Sequence, residues 1–281
     1  MIKFQNFYKE NFNKLTKTEK KILEYIIKNP KYVIMNSALE IGKELSVSDA
    51  SVLRLSKTLG FNKFSELKSY ITSNLNSTSP NERIIKNWNN FHSENDIANK
   101  TINADIENIK NFLNNLDFNL LNKTTLLLQN SRKIYFLGLG SSKGISQFMF
   151  WYMRRLGFET ECINEGGLGL YETLSHLKKG DTIFIFSFPR ILEDEIKILK
   201  LAKEKNIKII SITSNDLSEI ILLSDISFQV EVENFGFFNS YAVPIQLCNL
   251  ILTMLFEKNK NTIYKEIKDN SFVQDFLFHK N

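Results

Sequence analysis

The stretch from Ala38 to Thr58 constrains the fold of this 281-residue chain more than any other segment. Its apolar residues have the spacing that closes two short helices against each other, at Ile41, Leu45, Val47, Val52 and Leu55. Gly42 is predicted to face the helix crossing, where a side chain would push the helices apart, and Ser48 can cap the second helix. The stretch therefore predicts a helix-turn-helix whose second helix can enter a DNA major groove. A small structural helical hairpin is the alternative.

Length and composition favour a two-domain chain. Its 281 residues exceed what one small helical module needs, and an apolar content of 43% is ordinary for a soluble protein. No apolar run is long enough to span a bilayer, and the first residues lack the apolar core of a signal peptide. Cys162 and Cys248 show no metal-ligand spacing, which indicates reduced cysteines in the core. We therefore expect a cytoplasmic protein with no membrane segment, no metal and no bound cofactor.

The positive charge of the chain is concentrated near its N-terminus. Residues 1–76 contain 13 lysines and arginines against 7 acidic residues, whereas the remainder contains 23 against 24. A positive surface beside the helix-turn-helix would meet DNA phosphates, which release counterions when a protein binds. Solvated lysines on helix faces would produce the same excess, so charge supports DNA binding without establishing it.

The pattern of residues predicts three regions. They are a helix-turn-helix domain at 1–76, a helical linker at 77–106, and an effector-binding and dimerisation domain at 107–281. In the first region, Thr16 and Glu19 have the spacing of a capping box, and a further helix is predicted over Phe64–Leu75. In the linker and just beyond it, apolar residues recur at helical intervals, at Ile97, Ile102, Ile106, Ile109 and Leu113. These residues predict helices that pack on the last region.

After Lys133 the pattern changes to alternating strands and helices. Near-continuous apolar strands are predicted at 133–140, 159–163, 180–188, 208–214 and 225–232, with glycines between the second and third that indicate an adaptable loop. Such strands are buried on both faces, which predicts an α/β three-layer sandwich with a mostly parallel sheet. Ligands of these sheets bind outside the carboxyl ends of the strands. The loops at 138–143, 187–192 and 213–218 are therefore the predicted binding region.

Motifs in both parts of the chain resemble one known family. In the first region they are Leu15-Thr16, Glu19, Tyr25, Asn29-Pro30, Ser37, Val47-Ser48, Val52, Arg54, Leu59-Gly60-Phe61 and Phe64 to Lys68. In the last region they are Gly138-Leu139-Gly140-Ser141-Ser142, Gly180-Asp181, Ile212-Thr213, Ser218 and Asp225. Together they resemble the bacterial RpiR/MurR transcriptional regulators, which carry a helix-turn-helix head and a sugar-isomerase-like (SIS) domain. The resemblance covers nearly the whole chain. It implies a DNA-binding regulator whose SIS-like domain senses a phosphosugar or related carbohydrate derivative.

The candidate DNA-contacting residues lie on the second helix of the pair. They are Ser48, Asp49, Ser51, Arg54 and Lys57. The first turn of such a helix meets base edges, Arg54 can reach a guanine or a phosphate, and Lys57 can reach a phosphate. Ser48 could serve only as a cap, and Asp49 could serve only to complement the helix dipole. The predicted partner is double-stranded operator DNA.

The candidate effector contacts follow the predicted strands. They are Gly140, Ser141, Ser142, Ser187, Arg190, Thr213 and Ser218. The family's Ser-x-Ser-Gly-x-Thr loop reads Ser187-Phe188-Pro189-Arg190-Ile191-Leu192 here, so two hydroxyls and a glycine are replaced. Arg190 could hold an anion in their place, or face solvent or pair with Glu193 or Asp194. The predicted effector is a small anionic metabolite such as a sugar phosphate.

Two alternatives remain beside an effector-responsive regulator. A phosphosugar isomerase of the same fold would need a positioned Glu or His base, and no such arrangement is evident around His92, His176 or His279. The second alternative is a regulator whose SIS-like domain has a vestigial pocket and serves only for dimerisation. The favoured prediction is a protein without enzymatic activity. It would be a homodimer or homotetramer, because helix-turn-helix heads read palindromic sites in pairs.

Overall fold

The computed structural model describes residues 15–75, 93–164, 166–188, 190–214, 218–235 and 238–269. The predicted contributions of Pro189, His92, His279 and most of the linker therefore lie outside the described residues. The chain divides into two compact units, one formed by 1–86 with 215–222 and the other by 87–214 with 223–281. Each unit is described by itself.

The first unit is helical, as the sequence predicted. Its helices are α1 (Lys17–Lys28), α2 (Pro30–Met35), α3 (Ala38–Leu45), α4 (Asp49–Thr58) and α5 (Phe64–Leu75). The capping box of Thr16 and Glu19 is present at the start of α1, and a second one formed by Ser37 and Glu40 starts α3. The apolar faces share one core, which includes Ile22, Leu23, Ile26, Val33, Ile41, Val52, Leu55, Leu67 and Ile71.

Helices α3 and α4 form the predicted helix-turn-helix, and Gly42 explains how closely they approach. A Cβ built on Gly42 would lie 2.8 Å from the carbonyl oxygen of Val47 and 3.2 Å from the amide nitrogen of Asp49. Ser46 reverses the chain between the helices in the left-handed region, with φ of 54°. The close backbone contact excludes a larger residue at position 42, as the sequence indicated.

The second unit contains a five-stranded sheet in which every strand pair is parallel. The strands are β1 (Ile134–Gly138), β2 (Thr160–Ile163), β3 (Thr182–Ser187), β4 (Lys208–Thr213) and β5 (Ile226–Gln229), in the order β2-β1-β3-β4-β5. The helices along this part of the chain are α6 (Glu94–Asn114), α7 (Phe118–Gln129), α8 (Lys143–Arg155), α9 (Leu168–Ser175), α10 (Glu193–Glu204), α11 (Glu219–Leu223) and α12 (Ala242–Asp269), of which α11 lies almost wholly in the segment 215–222 that groups with the first unit. Strands β1 and β3 are buried at every residue, so both sheet faces are covered. The predicted α/β class is confirmed.

Some elements differ from the sequence expectation. Helix α9 begins at Leu168, so Gly169 of the predicted adaptable loop is helical whereas Gly166 and Gly167 precede the helix. Strand β5 ends at Gln229 instead of continuing to residue 232. Helix α6 packs against α12, and its Ile109 and Phe112 contact the core. Four of the five periodic residues are nevertheless exposed, namely Ile97, Ile102, Ile106 and Leu113. The periodicity therefore predicted the helix correctly but not the packing of most of its apolar face.

Helix α6 spans both sides of the predicted linker limit at residue 106. Cys248 is buried and Cys162 is half-buried, and both are free thiols. Among the described residues, no helix is both long and apolar enough to cross a membrane.

Candidate functional site

The N-terminus of α4 is held by the predicted cap. The Ser48 hydroxyl accepts a hydrogen bond from the Ser51 amide at 3.2 Å and lies 2.9 Å from the Ser51 hydroxyl. Asp49 accepts from the Ala50 amide through Oδ1 at 2.8 Å. The capping role of Ser48 is therefore confirmed. The Ser48 side chain is also exposed, so the cap does not prevent it from contacting DNA.

The outward face of α4 presents a continuous exposed surface. It consists of Asp49, Ala50, Leu53, Arg54 and Lys57, while Val52 and Leu55 point into the core. Ala50 and Leu53 were not predicted as contact residues, and Leu53 is 43% exposed although it is apolar. Such side chains can contact the methyl group of thymine. The signal that could have found them is the i, i+4 spacing of 49, 53 and 57 and of 50 and 54.

Helix α4 is tied to α1 at its other end through Glu19. The Glu19 carboxylate accepts from the Thr58 hydroxyl at 3.0 Å and from the backbone and hydroxyl of Thr16. Burial raises the pKa of Glu19, but these hydrogen bonds and the charge of Arg54 outweigh it and hold that pKa below its ordinary value. An ionised Glu19 therefore fixes the C-terminal end of α4 while its outward face stays exposed.

The predicted effector loops after β1, β3 and β4 emerge at one edge of the sheet. Gly138 at the end of β1 is opposite Phe186, and Ser187 at the end of β3 is opposite Thr213 of β4. The structure thereby brings together the strand ends that carry most of the predicted contacts. Ser218 lies in the segment 215–222, which groups with the first unit. It is buried, and its hydroxyl accepts from the Ile221 amide at 3.4 Å.

The loop after β1, which we call the β1 loop, is the short turn Gly140–Ser142. Gly140 adopts a φ of 57°, which favours glycine, and Ser141 accepts a hydrogen bond from the Tyr241 hydroxyl at 2.7 Å. Ser142 is only 1% exposed, and its hydroxyl has no hydrogen-bond partner within the part of the chain that the structure describes. A buried hydroxyl without a partner is costly, so this loop retains an unused hydrogen-bonding group.

Tyr241 connects the β1 loop with the residue that follows Ser187. Its hydroxyl reaches Ser141, and its ring lies 5.9 Å from the ring of Phe188 between centroids. Tyr241 directly precedes α12. No sequence pattern marks Tyr241 as a site residue, because only the folded sheet edge brings the segment before α12 beside these loops.

Glu195 binds both ends of the segment from Ser187 to Leu192, which we call the β3 loop and in which Pro189 lies outside the described residues. Ser187 donates its hydroxyl hydrogen to Oε2 of Glu195 at 2.7 Å, and the Leu192 amide donates to the same oxygen at 3.0 Å. Ser187 and Glu195 are each 1% exposed. Burial raises the pKa of Glu195, against the opposing effect of the two hydrogen bonds. Glu195 was not predicted as a site residue, although it lies three residues after Leu192, which is the spacing of a capping box.

Arg190 in the β3 loop is exposed. Glu193, one of the two acids that the sequence offered as a partner for Arg190 beside Asp194, forms an ion pair with Lys197 at 2.9 Å. Thr213 is buried at the end of β4. Among the described residues, no group of histidine, cysteine or acidic side chains is arranged to hold a metal ion.

Comparison with known proteins identifies both units. Residues 5–78 match the family model of the helix-turn-helix domain, rpiR family, and residues 127–254 match that of the SIS domain. An uncharacterised HTH-type transcriptional regulator of Clostridium perfringens is 27% identical over 265 residues, covering 92% of this chain and 95% of that protein.

Two solved structures share the fold. The sugar isomerase domain of an RpiR transcription factor from Sphaerobacter thermophilus aligns with a TM-score of 0.59 at 22% identity, covering 61% of this chain and 96% of that one. The Vibrio vulnificus NanR protein complexed with ManNAc-6P aligns with a TM-score of 0.57 at 17% identity, covering 99% of this chain and 100% of that one. The two matched domains stand in the predicted order, and the chain belongs to the RpiR family of helix-turn-helix transcriptional regulators with a C-terminal SIS domain.

Proposed function

We propose that this regulator binds operator DNA through the outward face of α4 and that its SIS domain senses a phosphosugar or a related carbohydrate derivative. A sugar phosphate, which is the kind of small anionic metabolite that the sequence predicted, belongs to this class of carbohydrate derivatives. The observation that carries the proposal is the exposed face of α4 on a helix pair whose packing fixes its orientation. The ligand in the NanR structure supports the effector class.

The DNA contacts divide by their position on α4. Ser48, Asp49 and Ser51 occupy its first turn, which reaches base edges in helix-turn-helix proteins. Arg54 and Lys57 lie further along the same exposed face, where Arg54 contacts a guanine or a phosphate and Lys57 contacts a phosphate. Ala50 and Leu53 lie between these polar residues on the exposed face and add apolar contacts to the bases.

The effector binds at the sheet edge beside the β1 loop. Gly140 leaves space for a close approach because an added Cβ there would meet no atom within 4 Å, and Ser142 offers its unused hydroxyl. Ser141 exchanges its bond with Tyr241 for one with the ligand. The contributions of Ser187, Arg190, Thr213 and Ser218 stay predictions.

We further propose a protein without enzymatic activity that works in the cytoplasm as a homodimer or homotetramer. Two relatives that cover 92% and 87% of the chain are named HTH-type transcriptional regulators, which supports the absence of a catalytic role. Large exposed side chains on α8 and α12 support association between copies, among them Trp151, Tyr152 and Phe256. Tyr152 and Phe256 also line an apolar groove between these helices.

Fluorescence anisotropy with DNA from the promoter region of the chain's own gene tests the DNA-binding proposal. We expect steep salt dependence and a loss of about 1–3 kcal/mol of binding free energy in Arg54→Ala, because a bidentate base or phosphate contact disappears. Lys110→Ala, which removes an exposed lysine from α6, is the control and should bind as the wild type does. Unchanged affinity in Arg54→Ala would overturn this role of α4. Turnover of a phosphosugar without DNA affinity would overturn the regulator proposal.

A further inference from the structure

Helix α10 begins where a parallel strand ends, in a position that ordinarily attracts an anion. Its twelve residues start six positions after β3, at the same sheet edge as the β1 loop. The free amide groups and the dipole of such a helix favour negative charge, and phosphates commonly bind there. The question for this chain is which anion occupies that position.

The anion is supplied by the helix itself. Oε2 of Glu195 accepts hydrogen bonds from the Ser187 hydroxyl and the Leu192 amide, at 2.7 and 3.0 Å. Both carboxylate and hydroxyl are buried, with only 1% of each residue exposed. These are the side-chain and backbone donors that an incoming phosphate at this helix would use. The carboxyl group of Glu195 therefore occupies the two donors that a bound anion would need.

The acidic residues beside the β3 loop also oppose the binding of an anion. Glu193, Asp194 and Glu195 fill the first turn of α10, and the ion pair of Lys197 is formed with Glu193. A phosphate dianion placed here would meet a buried carboxylate and would lack two donors. Like charges that are brought together in a partly desolvated site repel each other, so a fitting shape of the loop alone could not restore phosphate binding.

We propose that Glu195 is a specificity-determining residue that excludes phosphate from the β3 loop, so that the effector of this regulator is a carbohydrate derivative without a phosphate group. This inference rests on the proposed effector-sensing function and narrows its ligand class. The sugar is then bound through hydroxyl groups, for which the unused Ser142 hydroxyl in the β1 loop is available. Arg190 is exposed and takes no part in the hydrogen bond between Ser187 and Glu195.

The test compares four forms of the full-length protein: wild type, Glu195→Ala, Glu195→Gln and Glu193→Ala. Thermal unfolding is followed while inorganic phosphate is titrated against chloride at equal ionic strength. We expect no saturable stabilisation of the wild type and at least about tenfold tighter phosphate binding in Glu195→Ala, whose Leu192 amide and Ser187 hydroxyl are freed for a charged partner. Glu195→Gln, which preserves side-chain shape, should show a smaller gain and guards against a folding defect of the alanine variant.

Glu193→Ala is the matched control because it removes one carboxylate from the same helical turn at an exposed position. An equal gain in this variant would show a general charge effect and would overturn the role of Glu195, as would no gain in either Glu195 variant. A second titration uses glucosamine and N-acetylmannosamine beside their 6-phosphates. Stronger stabilisation of the wild type by a 6-phosphate than by its parent sugar would also overturn the inference.

DNA binding is measured on the same samples. Intact affinity for promoter DNA together with wild-type binding of phosphate would refute only the exclusion by Glu195. Loss of DNA binding in every form, including the wild type, would instead refute the proposed function.

Discussion

The β1 loop and the β3 loop lie at the same edge of the sheet and use their polar groups in opposite ways. In the β1 loop, Ser142 is buried without a hydrogen-bond partner among the described residues. In the β3 loop, Ser187 is equally buried but gives its hydrogen to Glu195. One loop keeps an unsatisfied hydroxyl, whereas in the other a hydroxyl and an amide donate to a carboxyl oxygen of the same chain.

This difference shows that a parallel sheet edge is not a uniform binding surface. Unsatisfied buried polar groups lower stability and persist where a ligand can complete them, whereas satisfied networks rigidify the chain. The β1 loop is therefore the side of the edge that can gain stability from an effector. In the β3 loop, the Ser187 hydroxyl and the Leu192 amide are already bound to Glu195.

The largest effect is expected from Gly138→Ala, which would break the geometry of the β1 loop. The added methyl group would lie 2.6 Å from the Ser142 carbonyl oxygen and 2.8 Å from the Ser146 hydroxyl. We expect a loss of about 3 kcal/mol in the free energy of unfolding, because the backbone must shift to relieve the overlap. Urea denaturation measures the change.

Gly144→Ala provides the control for that substitution. An added Cβ there meets no atom within 4 Å, and Gly144 lies at the start of α8. Its expected effect is neutral or stabilising, up to about 1 kcal/mol, because alanine has the higher helix propensity. Similar losses from both glycine substitutions would contradict the tight turn that we describe.

Ser187→Ala tests the satisfied half of the comparison. It removes the side-chain donor from a buried carboxylate, so we expect a loss of about 2 kcal/mol in unfolding free energy. The measurement is again the urea midpoint, with an unchanged dependence on denaturant. A variant as stable as the wild type would mean that the hydrogen bond to Glu195 contributes little.

Ser142→Ala tests the unsatisfied half and should have the opposite sign. Removal of a buried hydroxyl that lacks a partner should raise the unfolding free energy of the ligand-free protein by about 1 kcal/mol. The same variant should lose affinity for the effector. Destabilisation comparable to that of Ser187→Ala would contradict the conclusion that the Ser142 hydroxyl, unlike that of Ser187, forms no hydrogen bond.

The smallest effect is a pH dependence that arises from Glu195. Burial raises its pKa above the ordinary value of 4.5, so the folded state holds a proton more tightly than the unfolded state does. The stabilising contribution is complete below 4.5 and is lost as pH rises through the raised pKa. The unfolding free energy of the wild type should therefore fall relative to that of Glu195→Gln as pH increases from 4.5 towards neutrality. Parallel curves for the two proteins would contradict the assignment.

Much of the fold could be predicted from the sequence because its signals are local. The apolar runs predicted the strands, and a small residue and a cap at Gly42 and Ser48 predicted the helix pair. The predicted serines of the β1 loop also lie where the sheet topology requires. These patterns depend on neighbours in the sequence or on strand order, which the sequence displays.

The parts that escaped prediction depend on tertiary packing. Glu195 reads as an ordinary surface acid in a charged helix start, and only the burial of that turn makes it a partner of Ser187. Tyr241 reaches Ser141 across a separation of 100 residues. The apolar periodicity of α6 predicted a buried helix face, but most of those apolar residues are exposed in the single chain.

The close contact at Gly42 has a consequence for how this head can change. Its packing is determined by residues on the inner side of α4, such as Val52 and Leu55, and by the absence of a side chain at position 42. The residues on the outer side take no part in that packing, and surface substitutions away from special features usually change stability by less than about 0.5 kcal/mol. With the DNA-binding role that we propose for this face, mutation could exchange one operator for another along this ten-residue helix while the domain keeps its fold.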